Sequence, residues 1–321
     1  MLSVGIDAGT FRWSGVKLKS DKVIETFVKK TSEIKMNLEG FSQFLVEFIG
    51  DSTAVLPSAF GSPFKLLKDI PDDELKKILL KKEENTFLGL FNVLQKLKKS
   101  TPNCYLIPSV KLLATVPSYK KVNKIDMGTS DKVCVAFYAV INQIKRVNIT
   151  YDKTSFLLVE IGSGFTSLVF VDHGKIVDGI GGTTGPLGIR SRGCVDGELV
   201  LLDNQNKSSI YSGGVDSIQD KDLAIQSFID SLTKYIGAMI SSNYKPEEII
   251  ISKSTDQNPF LEKIIPGLYK FGKPYLLSNK FGISNAAYGA GLIAQDIANN
   301  SEMINNLNLN KINADILDFL F

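Results

Sequence analysis

The stretch VGIDAGTFRWSGVKLKSDKVIE (residues 4–25) decides the fold, because LLVEIGSGFTSLVFVDHGKIVD (residues 157–178) repeats its pattern 153 residues later. Each copy reads as an apolar strand that ends in an acidic residue, a turn of small residues, a second strand, a polar turn and a third strand. Three pairs of equivalent residues carry the match: Asp7 with Glu160, Gly9 with Gly162, and Thr10 with Ser163. Two copies that each open one half of the chain predict two similar domains.

The remainder of each half predicts a helix, a strand, a helix and a strand in succession. In the first half these segments are residues 37–51, 53–58, 86–99 and 103–110. In the second half they are residues 221–242, 247–252, 258–265 and 273–278. Two further helices are predicted, at 130–144 and 284–298. The order βββαβαβ therefore appears twice, which predicts an α/β protein.

The repeat also sets the predicted domain boundaries. We expect an N-terminal domain over residues 1–128 and a C-terminal domain over residues 129–298. Segments at about 57–85 and 183–220 fall outside the repeat, and insertions of this kind commonly shape the substrate side of a site. The tail, residues 299–321, is rich in Asn but keeps apolar spacing, so we expect it to dock as a helix.

Composition narrows the class of protein. The chain has 321 residues, of which 44% are hydrophobic and 22% charged, as in a soluble globular protein with two cores. A net charge of +3 is too small to indicate nucleic-acid binding. Cys104, Cys134 and Cys194 lie far apart, and no apolar run approaches the length of a membrane span. We expect a cytoplasmic protein without a membrane or nucleic-acid partner, and homodimerisation is left open.

The turn after the first strand has the residues that phosphate binding requires. Gly9 lets phosphate oxygens approach the backbone N–H groups without interference from a Cβ atom, and Thr10 adds a hydroxyl donor. Asp7, at the end of the strand, is then within reach of a phosphate-bound Mg²⁺, mostly through water. An ordinary turn is the alternative, but the duplicate at Glu160 favours the phosphate interpretation.

These motifs resemble those of the ASKHA superfamily, which contains acetate and sugar kinases, heat-shock chaperones and actin. The segments GIDAGT and EIGSGFTS are similar to its two phosphate motifs, and the likeness extends from Val4 to about Ala298. More narrowly, KIDMGTSDK, DGIGGTTGPLGIRSRG and SNAAYGAGLIA resemble archaeal proteins described as predicted butyrate kinases. The resemblance implies two ribonuclease H-like domains, with ATP and Mg²⁺ in the cleft between them.

The resemblance also implies roles for individual residues. Asp7 and Glu160 become the metal-side acids, although Glu160 replaces the more common aspartate. The segment after strand 247–252 matches the adenosine motif but has less glycine, and the helix at 284–298 approaches the cleft through small residues. The implied nucleotide-binding residues are Gly9, Thr10, Arg12, Gly162, Ser163, Gly164, Thr166, Ser252, Lys253, Ser254 and Gly289.

The segment IDMGTSDKV (residues 125–133) resembles the FHGTSH segment of acetate kinases, with Asp126 matching its Phe, Met127 its first His and Asp131 its second. The family histidine that helps to stabilise the transferring phosphoryl group is therefore missing. Charge neutralisation must then come from Mg²⁺ and from cations, for which the candidates are Arg12, Lys132, Arg190 and Arg192. Asp126 has helix capping as an alternative role, and Arg190 and Arg192 have an alternative as ordinary surface residues.

The sequence thus predicts ATP- and Mg²⁺-dependent phosphoryl transfer to a small carboxylate, which gives an acyl phosphate. The predicted catalytic residues are Asp7, Asp126, Asp131 and Arg190. A sugar or polyol kinase is the first alternative, because an alcohol acceptor needs a carboxylate base and this segment offers two. An ATP-driven conformational switch that acts on a protein client is the second.

Overall fold

The computed structural model describes residues 1–80, 89–202, 207–243, 245–253 and 261–321. Within these residues the strands are β1 (Leu2–Ala8), β2 (Arg12–Lys19), β3 (Lys22–Lys30), β4 (Thr53–Val55), β5 (Lys65–Leu66), β6 (Cys104–Leu106), β7 (Phe156–Ile161), β8 (Thr166–Asp172), β9 (Lys175–Ile180), β10 (Glu248–Lys253) and β11 (Lys273–Leu277). The α-helices are α1 (Thr31–Met36), α2 (Leu38–Ile49), α3 (Asp72–Ile78), α4 (Leu90–Ser100), α5 (Ser130–Val147), α6 (Gly197–Leu202), α7 (Lys207–Ile210), α8 (Lys221–Ser241), α9 (Leu261–Leu268), α10 (Asn285–Ala298) and α11 (Met303–Asn306).

The strands form two sheets with the same core topology. The first sheet has the order β3-β2-β1-β4-β6-β5, and the second has the order β9-β8-β7-β10-β11. In each sheet the first three strands are antiparallel neighbours, and the next strand pairs parallel to the first. The sequence prediction of a duplicated α/β fold with two ribonuclease H-like domains is confirmed.

The two sheets and the helices that cover them form five layers, because each sheet packs against helices on both of its faces. Alternate residues of a strand face opposite sides, so Val4 and Ile6 of β1 pack in one core, formed with α2 and α4. On β7, Leu157 and Val159 pack with α8 and α9, whereas Phe156 belongs to the central core. Helices α5 and α10 fill that central core between the sheets.

Glycines permit the close packing of α10 on β1 and on α5. A Cβ atom at Gly5 would lie 2.1 Å from the backbone nitrogen of Gly291 and 2.2 Å from the carbonyl oxygen of Ala287. A Cβ atom at Gly289 would lie 2.0 Å from the carbonyl oxygen of Cys134. Helix α10 lies within the predicted C-terminal domain, residues 129–298. It nevertheless covers one face of the first sheet, which belongs to the N-terminal half.

The insertions and the tail differ in detail from the prediction. The segment at 57–85 contributes β5, an added edge strand antiparallel to β6, and α3; its residues 81–85 lie outside the described residues. The segment at 183–220 contributes α6 and α7. The helix predicted for 299–321 is limited to Met303–Asn306, so this prediction is wrong for the rest of the tail.

Two buried lysines form hydrogen bonds with the tail. The ammonium group of Lys111 donates hydrogen bonds to the carbonyl oxygens of Ile316 and Asp318, at 2.7 and 2.8 Å. Lys121 donates to the carbonyl oxygen of Leu113 and to the side chain of Asn313. The tail is thus fixed by hydrogen bonds to otherwise costly buried charges. In the described part of the chain, no helix combines the length and apolar character that crossing a membrane requires.

Candidate active site

Two equivalent turns, one from each sheet, line the same cleft. The first joins β1 to β2 and the second joins β7 to β8. A Cβ atom at Gly9 would lie 2.6 Å from the carbonyl oxygen of Arg12, and one at Gly162 would lie 2.8 Å from that of Phe165. The same close approach in both turns explains why both require glycine. It also shows that the sequence repeat is a repeat of backbone geometry.

The cleft contains two cavities that share Asp7, Gly9 and Ser163. The larger, of about 440 Å³, extends from these residues past Arg12 and Lys253 to the N-terminus of α10. The smaller, of about 190 Å³, extends toward α5 and the two insertions. The insertion residues on its wall are Pro57, Ala59, Phe60, Thr183 and Tyr211. The two phosphate-type turns therefore lie where the cavities meet.

A cluster of three carboxylates and one ammonium group lies at this junction. Lys132, in the first turn of α5, has its Nζ atom 2.5 Å from Asp131 Oδ2 and 3.1 Å from Glu160 Oε2. Asp7 faces the same cluster, because the charges of Asp131, Lys132 and Glu160 all act on it. The Lys132 side chain is 16% exposed and that of Glu160 is 10% exposed. The cluster therefore holds more negative than positive charge in a poorly solvated place.

The pKa values of the cluster reflect this excess. Burial, followed by the negative charge of Asp131, raises the pKa of Asp7 to about 7. Burial also raises the pKa of Glu160, although Lys132 offsets part of the effect. For Asp131, burial is outweighed by Lys132 and Thr129, so its pKa lies below the ordinary value. Asp131 is therefore ionised at neutral pH, whereas Asp7 is poised to gain a cation or a proton.

The residues present fit Mg²⁺ that arrives with a nucleotide. Across the described ranges, no three His, Cys, Asp or Glu side chains are arranged to hold a metal ion by themselves. Asp7 and Glu160, with their raised pKa values, have negative charge that a divalent cation would neutralise. Mg²⁺ keeps much of its water and relies on substrate phosphates in such sites. Asp7 and Glu160 are the side chains that would face it.

Asp126 ties two loops together. One of its carboxylate oxygens accepts a hydrogen bond from the Gly128 N–H at 3.1 Å. The other accepts from the N–H and the hydroxyl group of Thr183, at 3.1 and 3.0 Å. Although its side chain lines the smaller cavity, the carboxylate holds the α5 entry segment against the second insertion. Asp126 does not cap α5, whose N-cap residue is Thr129.

Arg190 lies on the wall of the larger cavity. Its guanidinium group lies over the ring of Phe11, 3.7 Å from the ring centroid, and its Nε atom is 3.3 Å from Asp216. Phe11 belongs to the β1–β2 turn, so this contact joins the two halves of the protein across the cleft. Arg192, in contrast, donates to the carbonyl oxygen of Ser212 and lines neither cavity described above.

The structure brings together most of the residues that the sequence singled out. The cavity walls include Asp7, Gly9, Thr10, Arg12, Asp126, Asp131, Glu160, Gly162, Ser163, Gly164, Arg190 and Lys253. Besides Arg192, three predicted residues do not reach these walls. Thr166 is buried in β8, Ser252 is buried and bonded to Asn285, and Gly289 packs against α5. Ser254 lies outside the described residues.

Sequence reasoning missed the N-terminus of α10. The Ser284 hydroxyl donates a 2.7 Å hydrogen bond to Asp7, lies 2.9 Å from the Ser14 hydroxyl, and accepts from the Ala287 N–H. A serine before a helical segment is a recognisable N-cap signal, but its contact with Asp7 depends on the packing of α10 over β1. Lys132 was named only as one of several cations, and its central position follows from the tertiary structure.

Comparison with solved structures supports the same architecture. The acetate kinase of Porphyromonas gingivalis aligns with a TM-score of 0.64 and 14% identity, covering 92% of this chain and 99% of that chain. The acetate kinase of Entamoeba histolytica gives 0.62 and 14%, covering 93% and 99%. A propionate kinase of Francisella tularensis gives 0.61 and 12%, covering 90% and 97%. At these identities the likeness establishes the fold.

The fold consists of two duplicated α/β domains with a cleft between them, as in these acetate and propionate kinases. The chain belongs to the family described as "Protein of unknown function (DUF1464)", which matches residues 5–321. A search among curated protein sequences gave no match.

Proposed function

We propose that this protein transfers the γ-phosphoryl group of ATP to a small carboxylic acid and so forms an acyl phosphate. The observation that carries the proposal is the convergence of the two glycine turns on one charged cluster, at Gly9 and Ser163, where the two cavities join. The names of the structural neighbours, acetate kinase and propionate kinase, support a carboxylate acceptor.

The larger cavity suits the nucleotide. Its wall includes the cationic side chains of Arg12, Lys30, Arg190 and Lys253, with Asp7 as the carboxylate at its inner end. A triphosphate is strongly anionic, and basic side chains beside backbone N–H groups are the usual means of holding it. With the base toward α10, the terminal phosphate would reach the junction at Gly9 and Ser163.

The smaller cavity suits a small acid with an apolar body. Pro57, Phe60, Leu90 and Phe165 contribute to its wall, and Phe165 packs edge-on against Tyr211 with ring centroids 5.1 Å apart. A volume of about 190 Å³ leaves room for a short acid beside a phosphoryl group and little more. The side of the cavity nearest the junction is the charged one.

The proposed step needs no general base. A carboxylate oxygen of the acceptor attacks the γ-phosphorus, the bond to the β–γ bridging oxygen breaks, and ADP leaves with that electron pair. The acid is already ionised at neutral pH, so no proton has to move. Mg²⁺, when bound with ATP, would neutralise phosphate charge. The bonds that Asp126 accepts from Thr183 and Gly128 agree with a positioning role rather than proton abstraction.

One observation favours a second candidate, a sugar or polyol kinase. The pKa of Asp7 is raised to about 7, first by burial and then by Asp131, and a carboxylate with that pKa is suited to accept a proton from an alcohol. Mg²⁺ beside Asp7 would lower this pKa again, which weakens the argument.

The test is a phosphorylation assay with a panel of short carboxylic acids, sugars and polyols, with ATP, Mg²⁺ and hydroxylamine. Formation of a hydroxamate with an acid supports the proposal, because acyl phosphates react with hydroxylamine and phosphate esters do not. ADP release that depends on a sugar or polyol, without hydroxamate, would replace it with the second candidate. ATP hydrolysis that no acceptor stimulates would favour the conformational-switch alternative.

A further inference from the structure

Lys132 lines the smaller cavity and belongs to the charged cluster that includes Asp7, a residue that both cavities share. It lies in the first turn of α5, and its ammonium group contacts Asp131 from the same turn and Glu160 from the end of β7. An ammonium group has three N–H donors. Within the described residues it donates a hydrogen bond to Asp131 and forms an ion pair with Glu160, which leaves at least one donor for an oxygen atom in the cavity.

The smaller cavity has no other cationic side chain on its described wall. The charged residues that line it are Asp7, Asp126, Asp131, Glu160 and Lys132. A carboxylate acceptor and a γ-phosphoryl group are both anions, and bringing them together among four carboxylates is unfavourable without a compensating cation. Lys132 is in place to supply that charge.

The other basic residues near the cleft are placed for different contacts. Arg190 contacts Phe11 and Asp216 on the wall of the larger cavity, and its side chain is 46% exposed. Arg12 and Lys253 also line the larger cavity and not the smaller one. These residues suit the nucleotide, whereas Lys132 is less exposed than Arg190 and lines the smaller cavity.

We propose that Lys132 is a catalytic residue that contacts the transferring phosphoryl group and neutralises its charge while the acceptor oxygen approaches. The proposal rests on the proposed function and adds to it the residue that performs this role. Lys132 keeps its proton throughout, the P–O bond to the acceptor forms as the bond to ADP breaks, and Asp131 and Glu160 hold the ammonium group in position.

The first test compares Lys132→Gln with Lys120→Gln. Lys120 is a matched control, because its side chain is 13% exposed, forms a 2.6 Å ion pair with the mostly buried Asp178, and lies outside both cavities. We expect Lys132→Gln to lower kcat by about 100-fold or more with a change of only a few-fold in ATP affinity. Lys120→Gln should reduce thermal stability to a similar degree while keeping kcat within a few-fold of wild type.

The outcomes separate the two proposals. A wild-type protein that makes hydroxamate, with a Lys132→Gln variant that retains its kcat, would overturn the role of Lys132 and leave the proposed function intact. A wild-type protein that forms no acyl phosphate would overturn the proposed function. It would also overturn the proposal that Lys132 assists phosphoryl transfer to a carboxylate.

The second test does not depend on a variant that folds. In a crystal structure of the wild-type protein with ADP, Mg²⁺ and aluminium fluoride, which mimics the transferring phosphoryl group, we expect Lys132 Nζ within hydrogen-bond distance of a fluoride. Aluminium fluoride that is bound only by backbone N–H groups and Mg²⁺, with Lys132 Nζ beyond hydrogen-bond distance, would contradict the proposal.

Discussion

Ser284 donates a 2.7 Å hydrogen bond to the carboxylate of Asp7, although 277 residues separate them in the chain. The same hydroxyl group accepts from the Ala287 N–H and so caps α10. The end of β1 and the start of α10 therefore share one hydroxyl group at the base of the cleft. A movement of α10 relative to β1 would change the surroundings of Asp7, the acid that we propose to face the phosphates.

We expect Asp7→Asn to reduce Mg²⁺-dependent turnover by about 100-fold while ATP affinity changes much less, because the lost negative charge acts mainly on the metal. Calorimetry gives the nucleotide affinity, and the hydroxamate assay gives the turnover. An equal loss in both quantities would mean that Asp7 contributes chiefly to nucleotide binding, and failure of the wild-type protein to bind ATP would contradict the site itself.

Ser284→Ala should change the pH dependence of activity. The hydrogen bond from Ser284 lowers the pKa of Asp7, against the larger effects of burial and Asp131 that raise it to about 7. Activity that needs ionised Asp7 falls as the pH drops through this value, so removal of the hydroxyl group should move the acidic limb to higher pH. The measurement is kcat/KM against pH at low Mg²⁺, with Ser42→Ala, in α2 and outside the site, as control. An unmoved limb would show that the group that titrates is not Asp7.

Asp126→Asn should leave measurable phosphorylation and reduce stability. The amide group cannot accept the hydrogen bonds from Gly128 and Thr183 together, so one buried donor loses its partner at a cost of about 1–3 kcal/mol. Denaturant unfolding measures the stability, and Thr183→Val, which removes only the hydroxyl donor, should cost less. Complete loss of turnover in a stably folded Asp126→Asn variant would instead indicate a general base and favour an alcohol acceptor.

Gly5→Ala should destabilise the protein by about 3 kcal/mol, because its Cβ atom would enter the backbone of α10. Gly237→Ala is the control: this glycine lies in α8 with no atom within 4 Å of the added Cβ, so the change should be neutral or stabilising by up to about 1 kcal/mol. Thermal unfolding of both variants measures the difference. Similar stabilities would mean that α10 can move away from β1 at little cost.

The two domains should close on the nucleotide, because the glycine turns that we propose to bind the phosphates belong to different sheets. Small-angle scattering with a non-hydrolysable ATP analogue and Mg²⁺ should show a smaller radius of gyration than the free protein. An unchanged radius would indicate that the cleft is already closed.

The sequence predicted the fold well where long patterns carry it. The repeat at Asp7 and Glu160 identified the equivalent strands, and apolar periodicity identified α2, α5, α8 and α10. It did not predict β5, because a two-residue strand depends on its pairing with β6 and has no pattern of its own. The prediction for the tail was wrong beyond Met303–Asn306, because its apolar residues Ile304, Leu307 and Leu309 pack into the central core without a continuous helix.

Less of the candidate site than of the fold could be predicted from the sequence. Glycine turns are visible in a sequence, but the ion pairs of Lys132 join residues from α5 and β7 whose proximity only the tertiary structure determines. Thr166 and Ser252 follow the expected motifs, yet both side chains point into the protein because of their positions on β8 and β10. Motif matching gives the order of residues along the chain, and strand geometry decides which of them face the cleft.

The packing of α10 on β1 has a consequence for biosynthesis. On the ribosome β1 is made early, but the helix that covers one face of its sheet is made only when residues 285–298 emerge. Until then the nascent chain exposes Gly5 and its apolar neighbours, a surface that invites misassociation or chaperone binding. The half of the protein that is translated first should therefore be among the last parts to reach its native state.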